Sequence, residues 1–242
     1  NRRVTAVATT LHFAPTERAA ANLRAEGIGA DSIRVVGNTV VDAVHRILGA
    51  TPPVAVGGRR LVLVTLHRRE SFGEPLRRVL GALRTLAAER PGRFTIVYPV
   101  HPNPEVSGPA REILGGAAGV ELVEPLDYPR LLATFAAARF ALTDSGGLQE
   151  EAPSVGTPVL VARETTERPE VLEAGWARLV GTDPARILEE ARRLLDEDAA
   201  VAAMTSGPNP FGDGRAARRI VRALAEVWAA TGSGAPPPSG AG

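Results

Sequence analysis

Residues 61–65, LVLVT, form a continuous apolar run of β-favouring residues that stops at the polar stretch HRRESFG. The following EPLRRVLGALRTLAAER places apolar side chains at 76, 79, 80, 83 and 86. A short apolar run closed by polar residues predicts a buried strand, and a spacing of three and four predicts an amphipathic helix. The same alternation recurs. FTIVYPV leads through HPNP to a helix around 105–114, GVELVEP leads to a helix from about Tyr128 to Ala138, and RFALTD runs into SGGLQEEAPSVG. TPVLVA and ARLVG (177–181) predict two more strands, and Asp183 with Pro184 supplies an N-cap and a first-turn proline for a helix to about Asp196. Buried strands alternating with helices predict an α/β fold built on a doubly wound parallel sheet.

Two stretches break the rhythm. LGATPPVAVGGRR, residues 48–60, is rich in proline and glycine and predicts a linker between a small piece, 1–47, and a main domain, 61–212. The small piece opens on VTAVATTLHFAPTE, which reads as a strand already inside a fold, so the chain is expected to be a fragment of something longer. Residues 213–230 predict a helix with apolar positions 220, 221, 224, 227 and 228 on one face, and the tail 231–242, TGSGAPPPSGAG, is expected to be disordered.

Composition narrows the partners. Lys and Arg total 28 against 27 Asp and Glu, a formal charge of +1, too little to hold a nucleic-acid backbone. Cysteine is absent, which removes disulfides, thiolate metal sites and a cysteine nucleophile. No apolar stretch approaches the roughly 20 residues of a membrane span, and a cytoplasmic location is expected.

In a sheet of this kind, ligands gather beyond the carboxyl ends of the strands. After the strand ending at Leu142, Ser145, Gly146 and Gly147 open a helix whose free N–H groups and dipole suit an anion, and Glu151 stands about one turn further on. A carboxylate at that distance escapes the phosphate's repulsion and can accept hydrogen bonds from two ribose hydroxyls. The plainer alternative is a tight turn at the glycines, with Glu150 and Glu151 merely favouring the helix start. His67, Arg68 and Arg69 follow one strand end directly, and Arg163 and Arg168 follow the strand beyond the glycines. Arginines converging on strand ends suit a diphosphate. His67 and His101 can also be satisfied loop histidines, and His12 and His45, without charged companions, read as structural. No spacing suggests a metal site, and neither a nucleophile elbow nor a Walker pattern is present.

Four ordered motifs, LVTLHRRESFG, YPVHPNP, LTDSGGLQEEAPSVGTPVLVARETTERPE and NPFGDGRAARRI, resemble the non-hydrolysing UDP-N-acetylglucosamine 2-epimerases over nearly the whole chain to about residue 228. The resemblance implies the carboxyl-terminal, UDP-binding half of a two-domain GT-B-like enzyme, Rossmann-like in each half, with 1–47 a remnant of the amino-terminal domain and the helix at 213–230 crossing back to it. It implies that Ser145, Gly146 and Gly147 hold the diphosphate, Glu151 the ribose, and Arg168 the phosphate side. His67 becomes the catalytic histidine of this half, and Arg68 and His101 contact a second, activating UDP-N-acetylglucosamine. Leu131 falls at a position whose backbone faces the uracil and which is often an aromatic, Leu126 at a uracil-contact position that is polar in some members, and Leu66 stands where a small residue is common.

The implied chemistry explains those residue types. The C2 proton of the sugar has no neighbouring carbonyl, so the family eliminates UDP to give 2-acetamidoglucal and adds it back with C2 inverted. Stabilising the departing diphosphate is then half of catalysis, and acid–base transfer at C2 is the other half. The resemblance assigns several of the acids for that transfer to the amino-terminal domain, so this half alone is expected to be inactive. It implies UDP and a UDP-N-acetylhexosamine as ligands, no cofactor, and a homodimer for the full-length protein. Two rival readings stay open, a GT-B glycosyltransferase half and a non-catalytic nucleotide-sugar binding module.

Overall fold

A computed structural model describes residues 2–230, so the expected disorder of 231–242 lies outside the described residues. The chain divides into two compact units, one of residues 1–45 with 211–242, the other Arg46–Pro210.

The smaller unit carries helix α1 (Arg2–Ala8), strand β1 (His12–Ala14), helix α2 (Glu17–Ala25), strand β2 (Ile33–Val35) and the start of helix α3 (Thr39–Ala50). The strand expected from residue 4 onward is corrected here. Residues 2–8 are helical even though three of the seven are β-branched, since propensity is a weak prior that context overrides, and only His12–Ala14 forms a strand. β1 pairs parallel with β2, His12 opposite Ile33, and Ala14, Ala20 and Ile33 form a small core with Leu23 and Ile28. The unit's last helix, numbered α11 in chain order (Ala216–Ala230), is tied to α3 by Asp42, whose carboxylate accepts from the backbone N–H of Ala216 and Ala217 at 3.1 Å each. His45 has a structural place. Its Nδ1 stands 2.5 Å from where a Cβ on Gly214 would sit, and Gly214 has φ +76°, so the turn before α11 needs glycine twice over.

The larger unit is a six-stranded, wholly parallel sheet. Its elements are β3 (Arg60–Thr65), α4 (Glu74–Glu89), β4 (Phe94–Pro99), α5 (Pro104–Leu114), β5 (Val120–Val123), α6 (Tyr128–Ala136), β6 (Ala138–Thr143), α7 (Gly146–Val155), β7 (Val159–Val161), α8 (Pro169–Glu173), β8 (Ala177–Leu179), α9 (Pro184–Asp196) and α10 (Asp198–Thr205). The strand order is β5-β4-β3-β6-β7-β8. Val62 and Val64 of β3, Ile96 and Tyr98 of β4, and Phe140 and Leu142 of β6 bury their side chains against Leu80 and Leu83 of α4, Val106 and Ala110 of α5, and Ile187 and Leu194 of α9. The alternate strand positions face the other way, as the period of two requires.

Several boundaries move. α3 runs to Ala50, so the Pro/Gly-rich stretch is irregular only after the helix, and α6 ends at Ala136 because β6 begins at Ala138. α10 has no counterpart in the sequence pattern. Its apolar content is almost all alanine, too weak a stripe to read, yet Ala200 and Met204 enter the core. α9 matches the expected span, with the Asp183 carboxylate capping the Ala185 N–H at 2.9 Å.

Numbered within the larger unit alone, the strand order is 3-2-1-4-5-6. The chain reverses direction across the sheet between β3 and β6, and a crevice opens beyond the carboxyl ends of those two strands.

Candidate functional site at the topological switch point

The loop after β3 and the loop after β6 meet through one buried carboxylate. Asp144 is 0% exposed. Its oxygens accept from the backbone N–H of His67 at 3.0 and 3.2 Å and of Arg68 at 2.9 Å, and Oδ1 lies 3.4 Å from Nδ1 of His67. A buried carboxylate holding three donors fixes both loop path and ring orientation, and it favours the tautomer with the proton on Nδ1. Behind it, Thr65 and Thr143 join hydroxyls at 2.6 Å, and the Thr143 hydroxyl oxygen accepts from the Ser145 N–H at 2.9 Å. Buried Tyr98 donates to the Leu66 carbonyl at 3.1 Å, and burial, with the nearby Asp144 charge, pushes its phenol well above the ordinary range. Leu66 is itself buried, which suits the apolar surroundings of the strand end.

Ser145 is the N-cap of α7, its hydroxyl oxygen facing the Leu148 N–H at 3.5 Å, with Gly146 and Gly147 the first two helical residues. Neither glycine has a positive φ, so a tight turn does not require them. A Cβ on Gly146 would meet an Arg68 guanidinium nitrogen at 3.3 Å, which places that arginine beside the start of α7. The helix end presents backbone N–H groups in the crevice, and small residues leave them approachable.

Further along α7, Glu151 is 6% exposed. Its Oε1 accepts from the Tyr128 hydroxyl at 2.9 Å, and its Oε2 is buried with no hydrogen-bond partner. Burial, and then the charge of Glu150, push this carboxyl above its usual range, while the Tyr128 hydrogen bond pulls it back. Arg168 is carried to the same helix by a relay. Buried Gln149 donates to the Ser145 carbonyl at 3.0 Å and accepts from the Thr166 hydroxyl at 2.5 Å, and Thr166 Oγ1 accepts from the Arg168 N–H at 3.1 Å. The Arg168 guanidinium pairs with Glu150. Arg163 bonds Glu167 at 2.5 Å and Glu70 at 3.0 Å, and Arg68 lies 3.3 Å from Glu167. The arginines therefore have carboxylate partners that an arriving anion must displace or share.

On the other side of the switch point, the His67 and His101 rings stack with centroids 6.1 Å apart and planes at 19°. Both line a cavity of about 180 Å³ together with Leu126, Leu131 and Leu148. This cavity, walled by two imidazoles and four leucines, suits a flat ring. His67, Arg68, Ser145, Gly146 and Gly147 thus converge at the switch point, His101, Leu126 and Leu131 line its edge, Glu151 lies one turn into α7, and Arg168 pairs with Glu150 of the same helix.

Asp144, Tyr128 and Gln149 were not singled out by sequence. The only signal available for Asp144 was a charged residue directly after a run of four apolar and threonine positions, a place where burial demands partners. Among the described residues, no group of three or more His, Asp or Glu side chains is placed to hold a metal ion, and no helix is long and apolar enough to cross a membrane.

The family model described as UDP-N-acetylglucosamine 2-epimerase matches residues 1–225. The curated UDP-N-acetylglucosamine 2-epimerase of Salmonella typhimurium is 45% identical over 237 residues, covering 93% of this chain and 63% of that protein. The Bacillus subtilis enzyme of the same description is 46% identical over 228 residues, with 93% of this chain and 60% of that protein covered. The chain spans 60–64% of the length of the curated relatives it matches. A crystal structure of UDP-GlcNAc 2-epimerase from Neisseria meningitidis bound to UDP-GlcNAc superposes with a TM-score of 0.83 at 37% identity, covering 93% of this chain and 64% of that one.

Proposed function

Because the chain belongs to the UDP-N-acetylglucosamine 2-epimerase family, we propose that it is the nucleotide-binding half of an enzyme that interconverts UDP-N-acetylglucosamine and UDP-N-acetylmannosamine. The reaction is elimination of UDP from C1 and of the proton from C2 to give 2-acetamidoglucal, followed by return of UDP to C1 and of a proton to the opposite face of C2. One observation carries the reading. A helix that opens on two glycines free of positive φ stands at the switch point, and one turn on it buries a carboxylate with an unpartnered oxygen.

In this reading the diphosphate lies on the Ser145–Gly147 end of α7. As the bond between C1 and the β-phosphate oxygen breaks, charge grows on that phosphate, and fixed N–H dipoles, Ser145 and Arg168 stabilise it without reorganising. Glu151 accepts the ribose hydroxyls. The uracil ring occupies the slot at Leu126 and Leu131, where dispersion and backbone contacts replace side-chain polarity. His67, held through Asp144 with Nδ1 protonated, presents Nε2 to the reacting sugar and diphosphate. Arg68 and His101 contact a second UDP-N-acetylglucosamine that activates the enzyme. The remaining acid–base groups at C2 come from an amino-terminal domain, two copies of the full enzyme pair, and the reaction runs in the cytoplasm.

Calorimetric titration of the chain with UDP, ADP and NAD tests the nucleotide half. Saturable binding of UDP in preference to ADP and NAD is expected. Glu151→Ala should weaken UDP by about 1–3 kcal/mol, the scale of a lost charged hydrogen-bond partner. A folded chain that binds no UDP, or binds ADP equally well, overturns the reading. Joined to the amino-terminal domain, the enzyme should incorporate deuterium at C2 from heavy water, and a glycosyltransferase would not.

A further inference from the structure

Tyr128 is the first residue of α6, directly after Asp127, whose carboxylate caps that helix by accepting the Arg130 N–H at 2.8 Å. The cap fixes where the tyrosine starts. The residue is 39% exposed, yet its hydroxyl reaches inward to Oε1 of Glu151, 23 residues later in the chain. Nothing in local packing requires that reach, since an exposed phenol can satisfy itself with water.

The effect on Glu151 is geometric. The terminal torsion of a glutamate is broad, so a lone carboxylate does not hold one plane. A donor on Oε1 fixes the plane, and with it the direction of Oε2. A buried oxygen without a donor is costly and uncommon in a native interior. Oε2 of Glu151 is such an oxygen, and it belongs to the residue one turn into the helix that opens at the switch point.

We infer that Tyr128 is a positioning residue for the nucleotide site, which by donating to Oε1 of Glu151 sets the carboxylate plane and reserves Oε2 as acceptor for a ribose hydroxyl. Selectivity for ribonucleotides over sugars lacking those hydroxyls then depends on a residue that need not touch the nucleotide. The inference rests on the ribose role proposed for Glu151.

The same bond acts on charge. Burial and Glu150 favour the neutral acid, while the tyrosine favours the carboxylate, the form able to accept from two hydroxyls. The charged and titratable groups around Glu151 are Glu150 on its own helix, Tyr128 from α6, and Arg168 ahead of α8, whose guanidinium pairs with Glu150. Loss of the phenol hydroxyl removes an influence that favours ionisation while burial and Glu150, which oppose it, remain.

The test compares the 242-residue chain with its Tyr128→Phe, Glu151→Gln and doubly substituted forms. UDP and 2′,3′-dideoxy-UDP are titrated by calorimetry. Tyr128→Phe is expected to weaken UDP roughly tenfold, as loss of a bond to a charged group does, and to leave the dideoxy analogue within twofold. In the Glu151→Gln background it should have no further effect. Independently of any nucleotide, the carbon-13 carboxyl resonance of Glu151 should titrate at higher pH in Tyr128→Phe than in the wild type. Equal weakening of both nucleotides, an additive double variant, or an unshifted titration each overturns the inference. Absence of UDP binding by the wild type overturns the nucleotide reading and the ribose assignment with it, and a shifted titration would then leave only the link between Tyr128 and the carboxylate.

Discussion

Asp144 concentrates the demands of the site on one side chain. It is fully buried and charged, and every donor it has comes from the loop after β3. Asparagine in its place keeps the shape but offers one oxygen instead of two, and its amide hydrogens face the same N–H donors. Asp144→Asn is therefore expected to destabilise the chain by about 2–3 kcal/mol, the cost of leaving buried donors unpaired. It should also disorder the His67 ring. Chemical denaturation measures the first, and the His67 imidazole carbon shifts, which report the tautomer, measure the second. A variant of wild-type stability with an unchanged tautomer would show that the carboxylate only fills space. None of this was visible along the chain, because the contact joins positions 77 residues apart and depends on β3 lying beside β6.

At the scale of elements, stability and the proposed binding pull apart on α7. Gly147 occupies its first turn, exposed, and a Cβ there would meet only the Ser145 hydroxyl oxygen at 3.7 Å and a Glu151 oxygen at 4.0 Å, ordinary contacts. Alanine should therefore fit and, by helix propensity, raise stability by up to ~0.5 kcal/mol in a terminal turn. The added methyl stands where an anion would approach the backbone, so Gly147→Ala is expected to melt at the same or a higher temperature and to bind UDP roughly tenfold more weakly, on the scale of one displaced charged hydrogen bond. A variant that binds as the wild type does would put the diphosphate elsewhere. The strands and the long helices of the larger unit were legible because their apolar periods are strong, as in LVLVT and in the stripe from Leu76 to Leu86. The loops at strand ends were legible as a candidate site because topology sends ligands there. α1 was not, since three β-branched residues in seven read as strand, and α10 was not, since an alanine-rich stretch carries no stripe that distinguishes strand, helix and loop. The exposure of Val221, Leu224 and Trp228 was not legible either, since one apolar face on α11 reads the same whether or not anything covers it.

Across the whole molecule, a net charge of +1 conceals many close pairs between arginine and carboxylate. In the smaller unit, Asp213 is held down to about 2 chiefly by its bidentate bond to Arg219 at 2.6 and 2.8 Å. In the larger unit, Glu167 is held at about 2, first by its own backbone N–H and then by Arg163 and Arg68, and Arg77, Arg90 and Arg192 lower Glu112, Asp196 and Glu89. A carboxylate with a depressed folded value binds fewer protons folded than unfolded. Its stabilisation is complete above the ordinary carboxylate range and is lost as pH falls through that range toward about 2. Glu151 has the opposite sign. With its folded value raised, it takes up a proton in the native state before the unfolded chain does, so acidification first relieves the cost of burying its charge. The melting temperature is therefore expected to rise slightly as pH drops from neutral toward the Glu151 titration and then to fall below about pH 4 as the exposed pairs are lost, each contributing little. Glu151→Gln should abolish the rise and leave the fall. Asp213→Asn should shallow the fall and leave the rise, and high salt should flatten the fall because these pairs are largely exposed. Calorimetric melting between pH 7 and pH 2.5 decides it. A melting temperature that declines monotonically from pH 7 in the wild type would mean that Glu151 is not held above its ordinary range, and one flat to pH 3 would mean that the paired arginines contribute nothing to folding.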